Sequence, residues 1–191
     1  MAAWHWHWAG AFWDTIEAMG VTKQTPGESV VALGEAIQVI RGILDTSEHS
    51  LLRVEGDFYS VSGAKRGPAL DHDIPIWIGA LKPRLLRLIG RQADGWLPSQ
   101  AYLKDGDLAL GNSVIDRSAL AAERDPREIV RLLNVHAAAG VDELVELALT
   151  QGISAFIVAS DSPSVIEDFG TKVAPAVRAQ VAQARDTHLR P

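Results

Sequence analysis

The residues best placed to do chemistry lie where strand-like runs give way to helices. In "IGALKPRLL" a short apolar run ends at Gly79 and Ala80, and a helix opens at Pro83. The first-turn amides of a helix have no intrahelical partner, and the helix dipole is positive there. A phosphate or a polar ring edge suits such a place, and Lys82 adds charge. The same residues also make an ordinary tight strand-to-helix turn, and the local sequence leaves both readings open. In "DGWLPS", Asp94 and Gly95 are turn residues, and Ser99 falls at the next strand end with a hydroxyl to offer. His136 ends a further strand and has the chemistry of an acid or base. His72 sits between Asp71 and Asp73, adjacent positions that do not converge on one metal ion. Arg84, Arg87 and Arg91 share one helix face, which reads as a solvated surface. The chain contains no G-x-S-x-G elbow, phosphate-binding P-loop, H-E-x-x-H pair or G-x-G-x-x-G turn, so no short motif names a reaction.

The elements that must position these residues alternate. "TPGESVVALGEAIQVIRGIL" predicts a helix: Thr25 caps it, Pro26 takes the first helical position and Glu28 completes a capping box. "GDFYSVSGAKRGPAL" predicts a hairpin or irregular excursion. "IPIWIGA" predicts a buried strand with Pro75 near its start, and "KPRLLRLIGRQA" a helix. A brief strand over Trp96–Ser99 is followed by a helix over about 107–122. Ile129–His136 is a strand, "VDELVELALTQG" a helix ending at Gly152, and "ISAFIVAS" a strand rich in β-branched residues. A last long helix starts near Asp161 or Ser162 and is interrupted at Pro175. Strands separated by helices imply crossovers and a parallel sheet, either an open doubly wound sheet or a (β/α)8 barrel. Both place ligands at the carboxyl ends of strands, which selects Gly79, Ala80, Ser99, His136, Ser160 and Asp161.

Composition narrows the classes. At 191 residues the chain suits one domain, and 47% hydrophobic with 22% charged residues is an ordinary globular balance. A net charge of −6 with dispersed lysine and arginine argues against a nucleic-acid partner. Without cysteine there is no disulfide framework and no thiolate chemistry. No apolar run approaches the roughly 20 residues that span a membrane. A cytoplasmic location is the expectation.

The segments "GAFWDTIEAMG", "TPGESVVALGEAIQVIR", "IPIWIGALKPRLLRLIGRQADGWLPS" and "FGTKVAPAVR" occur in that order. Together they resemble the luciferase-like class of flavin-dependent oxidoreductases, (β/α)8 barrels that use FMN or the deazaflavin coenzyme F420. The likeness runs from about Gly10 to Arg185, is strongest over Ile74–Ser99, and is closest to the F420-dependent branch. The resemblance implies a cofactor held by Gly79, Ala80, Leu81 and Lys82 after the fifth strand, with Leu85 packed nearby and Ser99 ending the sixth. Ala9, Gly10 and Ala11 would end the fourth strand beside the cofactor, and Asp14 would supply a polar contact. The catalytic acid is left unassigned, and no metal is implied.

A barrel of this kind typically needs about 250 residues. The resemblance therefore implies a partial barrel retaining roughly strands 4–8, in a single luciferase-like domain over 1–191. Its two open edges invite homo-oligomers. Trp4, His5, Trp6, His7 and Trp8 stand where the family has an apolar strand. Read one base back, with CAC for both histidines, that stretch becomes Val-Ala-Leu-Ala-Leu-Gly. The expectation is a frame disruption near Gly10, with three further strands encoded upstream. Three functions follow as expectations. The first is a flavin- or F420-dependent oxidoreductase or monooxygenase acting on a small organic substrate. The second is an inactive remnant that binds flavin weakly or oligomerises. The third is an unrelated α/β enzyme for a phosphorylated metabolite.

Overall fold

The computed structural model describes residues 13–20 and 22–188. A short helix α1 (Trp13–Ala18) precedes α2 (Pro26–Leu44). The capping box is formed: the Glu28 amide donates to Thr25 Oγ1 at 3.2 Å, and the Thr25 amide donates to Glu28 Oε2 at 2.7 Å. An antiparallel hairpin follows, β1 (Leu52–Val54) with β2 (Val61–Ala64). Its connecting loop is tied to α2 by Glu35, whose carboxylate accepts the amides of Asp57, Phe58 and Tyr59 at 3.0, 2.8 and 2.9 Å. Gly56 permits that approach, since a Cβ there would lie 2.5 Å from the Glu35 carboxylate.

The rest is a β/α alternation: β3 (Trp77–Ile78), α3 (Pro83–Gln92), β4 (Gly95–Trp96), α4 (Asp107–Leu120), β5 (Val130–His136), α5 (Val141–Thr150) and β6 (Ala155–Ala159). The four strands lie side by side in chain order, all parallel. Each crossover returns to the neighbouring strand. A doubly wound sheet reverses its order at a switch point; the described sheet has no reversal.

β3 and β4 are shorter than their apolar runs predict. Pro75 has no N–H for the ladder, and the Ile76 amide donates instead to Asp94 Oδ2 at 2.7 Å. Only Trp77 and Ile78 remain as strand. After β4, buried Pro98 likewise lacks a donor, and pairing resumes only at the single bridge between Ser99 and Asn134. The last helix breaks just ahead of Pro175 rather than at it. Between α6 (Pro163–Asp168) and α7 (Ala174–His188), a wide π turn spans Phe169–Val173, and the Ala174 amide reaches back to Phe169 O. The widened turn relieves the clash that a proline ring makes with the carbonyl four residues earlier.

The sheet's two faces differ. Ile78 and Trp96 pack with α2, α3 and α4 through Ile37, Leu86, Ile89 and Ile115. Leu133 and Val135 pack with Leu144, Ile153 and Val177 beneath α5 and α7. Strand alternation turns Trp77, Gly95, Leu132, Asn134 and His136 to the other face. There a Cβ on Gly95 would meet Trp77 Cδ1 at 2.6 Å and Leu132 Cδ1 at 2.9 Å, so the glycine lets Trp77 lie across the strand. No described helix is long and apolar enough to cross a membrane.

Candidate cofactor site at the strand ends

Gly79 and Ala80 follow the carboxyl end of β3 directly. Ala80 is fully buried, and its carbonyl accepts the indole N–H of Trp96 at 2.8 Å. That bond pins the small-residue loop from below. Leu81 is half-buried, and Lys82 is exposed as the N-cap of α3, with no capping bond from its side chain. Pro83 has no N–H, so the free first-turn donors of α3 are the amides of Arg84 and Leu85. The Leu85 side chain lies in the core beneath α3. It is 4% exposed and sealed in the core with Ile37 and Ile78, so it backs the loop from the helix side.

Ser99 is half-buried at the end of the next connection. Its Oγ accepts from Asn134 Nδ2 at 3.0 Å. With Tyr102, Val135, His136 and Ala159 these two residues line a largely apolar hollow of about 300 Å³, whose polar groups are the Ser–Asn pair, the imidazole and the Tyr102 hydroxyl. The volume is at the lower end for small-molecule sites. His136 is exposed, and its amide donates to Gln100 Oε1 at 3.2 Å. Gln100 in turn donates through Nε2 to Glu143 at the start of α5, tying the β4–α4 connection to both sides of the β5–α5 connection at one end of the sheet.

Residues 9–188 match the family described as luciferase-like monooxygenase. The chain belongs to that family. The 5,10-methylenetetrahydromethanopterin reductase of Methanolobus tindarius is 31% identical over 170 residues, 89% of this chain and 49% of that protein. The luciferase-like chain thus spans about half the length of this relative. Among solved structures, an F420-dependent secondary alcohol dehydrogenase in complex with an F420-acetone adduct aligns with a TM-score of 0.68 and 14% identity, over 85% of this chain and 66% of that one. Riboflavin lyase with modified FMN and riboflavin aligns with a TM-score of 0.72 and 11% identity, over 86% and 60%. These likenesses show the fold, an α/β architecture with a parallel sheet similar to luciferase-like barrels.

Within this luciferase-like fold the structure brings Ser99 together with Asn134 and His136, and it places Gly79, Ala80, Leu81 and Lys82 at the neighbouring strand end. Asp14 is exposed in the first turn of α1 and makes no hydrogen bond or ion pair among the described residues. Gly10 and Ala11, with Ala9, lie outside the described residues, as do Trp4–Trp8. Asn134 and Tyr102 are site residues that the sequence reading missed. Asn134 did carry a signal: it is the one polar residue inside "LLNV" and shares His136's face at a spacing of two. Tyr102 carried none.

The opposite end of β5 is closed. Arg131 is 8% exposed and donates to Ile129 O at 2.7 Å, Asn112 Oδ1 at 2.7 Å and Asp116 Oδ1 at 2.5 Å. Burial pushes its pKa down, opposed by the Asp116 carboxylate. With its side chain committed to α4 and to backbone, this end serves stability.

Proposed function

We propose that β3 to β6 are the fifth to eighth strands of a (β/α)8 barrel, in a single luciferase-like domain over 1–191 that retains roughly strands 4–8. The domain acts as an F420- or FMN-dependent oxidoreductase, transferring hydride or oxygen on a small organic substrate. One observation supports this most. The buried Trp96–Ala80 bond fixes a small-residue loop at a strand end, where α3 opens without a side-chain cap beside the Ser99–Asn134 hollow.

The residues present fit such a cofactor. Two free amides and the Lys82 ammonium suit a phosphate group, and Gly79 and Ala80 add no bulk at the strand end. The Ser99 hydroxyl is free to donate and Asn134 Oδ1 to accept, which suits the polar edge of a ring system. Val135, the Tyr102 ring and Ala159 give the hollow an apolar lining. Gly10, Ala11 and Asp14 complete the site from the fourth-strand side in this reading. A bound flavin or deazaflavin supplies the two-electron chemistry, while the chain holds and orients it. His136, exposed at the rim, offers its imidazole as a candidate acid or base in this reading.

The test is a fluorescence titration of the purified chain with F420 and with FMN, followed by turnover assays with reductant and small carbonyl or alkane substrates. Saturable quenching by one of the two is expected. Absence of binding by both refutes the reading. A second reading, an inactive and oligomerising remnant, draws on exposed apolar residues of the sheet's open face, Trp77 at 46% and Ile157 at 40%. Weak cofactor binding without turnover, together with a homo-oligomer in light scattering, would select it.

A further inference from the structure

The two edges of the parallel sheet are unlike. At one edge β3 is only Trp77–Ile78, with Pro75 just before it and Asp71, His72 and Asp73 ahead of that. A short strand flanked by proline and charge is how natural sheets blunt an edge. At the other edge β6 runs five residues, Ala155–Ala159, and no strand pairs with its outer side among the described residues. From Ile153 to Ser160 there is no charged residue and no proline. Phe156, Ile157 and Val158 are strong strand formers, and an uncharged run of that kind at an edge is a template for another strand.

The register fixes which backbone groups face outward. The Asn134 amide donates to Pro98 O at 3.0 Å, on the β4 side, so Leu133 and Val135 turn their backbone groups to β6. Leu133 lies opposite Phe156, and Val135 opposite Val158. In a parallel ladder the slanted bonds run to the residues flanking the opposite one, here Ala155, Ile157 and Ala159. Phe156 and Val158 therefore present their N–H and C=O groups at the open edge. A two-fold axis through Ile157 sets Phe156 of one copy against Val158 of the other, twice over. Both are then hydrogen-bonded pairs, and roughly four bonds close across the joint. Ile157 meets its own counterpart in the closer, non-hydrogen-bonded pair, on the open face where it is 40% exposed.

Charge selects this arrangement and its occupant. In the antiparallel pairing Asp161 falls opposite Ile153, whereas a parallel joint would set Asp161 beside Asp161 and repel. The chain carries a net charge of −6, so two copies approach best where neither is charged, and this strand is such a place. The apolar surface continues past the strand, since Phe156 also lines a groove of about 450 Å³ with Val177 and Val181 of α7. We infer that β6 is a self-docking edge: two copies of this chain pair antiparallel about Ile157 and join their four-stranded sheets into one. The joint lies beside the candidate site, because Ala159 lines the hollow. The inference names the edge and the register that the second reading above leaves open, and it holds whichever cofactor binds.

The experiment uses the cofactor-free full chain, which has no cysteine to interfere. Sedimentation velocity over a dilution series is expected to show a monomer–dimer equilibrium. In Ile157→Cys the two thiols sit on Cα atoms about 4.5 Å apart, within disulfide range, so mild oxidation should give a covalent dimer. Ala155→Cys should not cross-link, because its two copies lie four positions apart along the joint, roughly 13 Å. Ile157→Lys sets like charges opposite each other and should raise the dimer dissociation constant about a hundredfold. Circular-dichroism melting checks that this variant folds. Hydrogen exchange in the wild type gives a readout that needs no variant. The Phe156 and Val158 amides should quicken on dilution, while those of Ile157 and Ala159, bonded to β5, stay protected. A monomer at every concentration overturns the proposal, whether its outer amides are exposed or covered by another part of the chain. So does a dimer that survives Ile157→Lys, or one that cross-links through Ala155→Cys as readily as through Ile157→Cys. If Ile157→Lys does not melt cooperatively, the cross-links and the exchange pattern decide.

Discussion

Trp96 and Gly111 form a pair whose energetics can be worked out from the structure. Trp96 is 1% exposed, and its indole N–H holds the buried Ala80 carbonyl at 2.8 Å. Its far ring atoms lie against α4 at Gly111, where a Cβ would stand 2.2 Å from Cη2 and 2.7 Å from Cζ2. Phenylalanine lacks those ring atoms and the N–H. Trp96→Phe therefore strands a buried carbonyl, costing about 1–3 kcal/mol, and leaves a partial cavity costing about 1–2 kcal/mol more. Gly111→Ala in the wild type overpacks the same spot by about 1–3 kcal/mol. Against that stands a gain of about 0.5–1 kcal/mol for replacing a helical glycine. In the Trp96→Phe background the clash disappears and the helix gain remains, so Gly111→Ala should become stabilising. Equilibrium urea unfolding of the four proteins measures the cycle, with a coupling of about 1–3 kcal/mol expected. Additivity to within about 0.5 kcal/mol, the behaviour of independent sites, would refute the packing argument. Wild-type stability in Trp96→Phe would refute the role of the carbonyl bond. Because that bond also pins the Gly79–Ala80 loop, Trp96→Phe should weaken cofactor binding even at temperatures where the variant is fully folded.

Three further outcomes follow from other contacts. Desolvation acts to raise the Glu35 carboxyl, but the amides of Tyr59, Phe58 and Asp57 outweigh it and hold its pKa below the ordinary 4.5. The hold on the hairpin loop is thus complete above that value and is lost as pH falls through the lower folded value. Hydrogen exchange at those three amides should quicken under acid in the wild type, and in Glu35→Gln it should already be fast at neutral pH. Arg131→Ala leaves Ile129 O and Asn112 Oδ1 without their donor, while the half-exposed Asp116 carboxylate stays solvated, and urea unfolding should show a loss of about 1–3 kcal/mol. Ser99→Ala removes the free hydroxyl at the hollow and should weaken F420 or FMN binding roughly three- to tenfold in fluorescence titration, with the melting temperature little changed.

Where local chemistry decides the structure, the sequence was legible. Thr25, Pro26 and Glu28 announce the start of α2, and each makes the predicted contact. The strand over Ile129–His136 differs from β5 by one residue. What stayed hidden depends on partners distant in the chain. Pro75 announced a weak strand start, but the Asp94 carboxylate that takes the Ile76 amide lies eighteen residues on. Gly95 and Gly111 read as turn and helix glycines, yet each is needed for a specific tryptophan, Trp77 and Trp96, that local periodicity does not connect to it. Leu85 is buried with Ile37 and Ile78, a packing set by how α3 sits on α2 and by nothing in "KPRLL" itself. At the candidate site the strand-end rule located Ser99 and His136, whereas Asn134 emerged only from the register that bridges it to Ser99.

β5 makes the separation of stability from function visible within seven residues. At its amino end Arg131 faces α4, and its guanidinium donates to one backbone carbonyl and two side chains. At its carboxyl end Asn134 and His136 face the opposite side, and there the bonding is deliberately incomplete. Asn134 donates once to Ser99, leaving its Oδ1 open, and the His136 ring has no partner among the described residues. Polar groups in a half-buried place favour partners because leaving them unmet costs free energy. The strand satisfies its polar residue at one end and leaves the half-buried Asn134 Oδ1 unmet at the other, and the proposed function assigns the ligand to that second end.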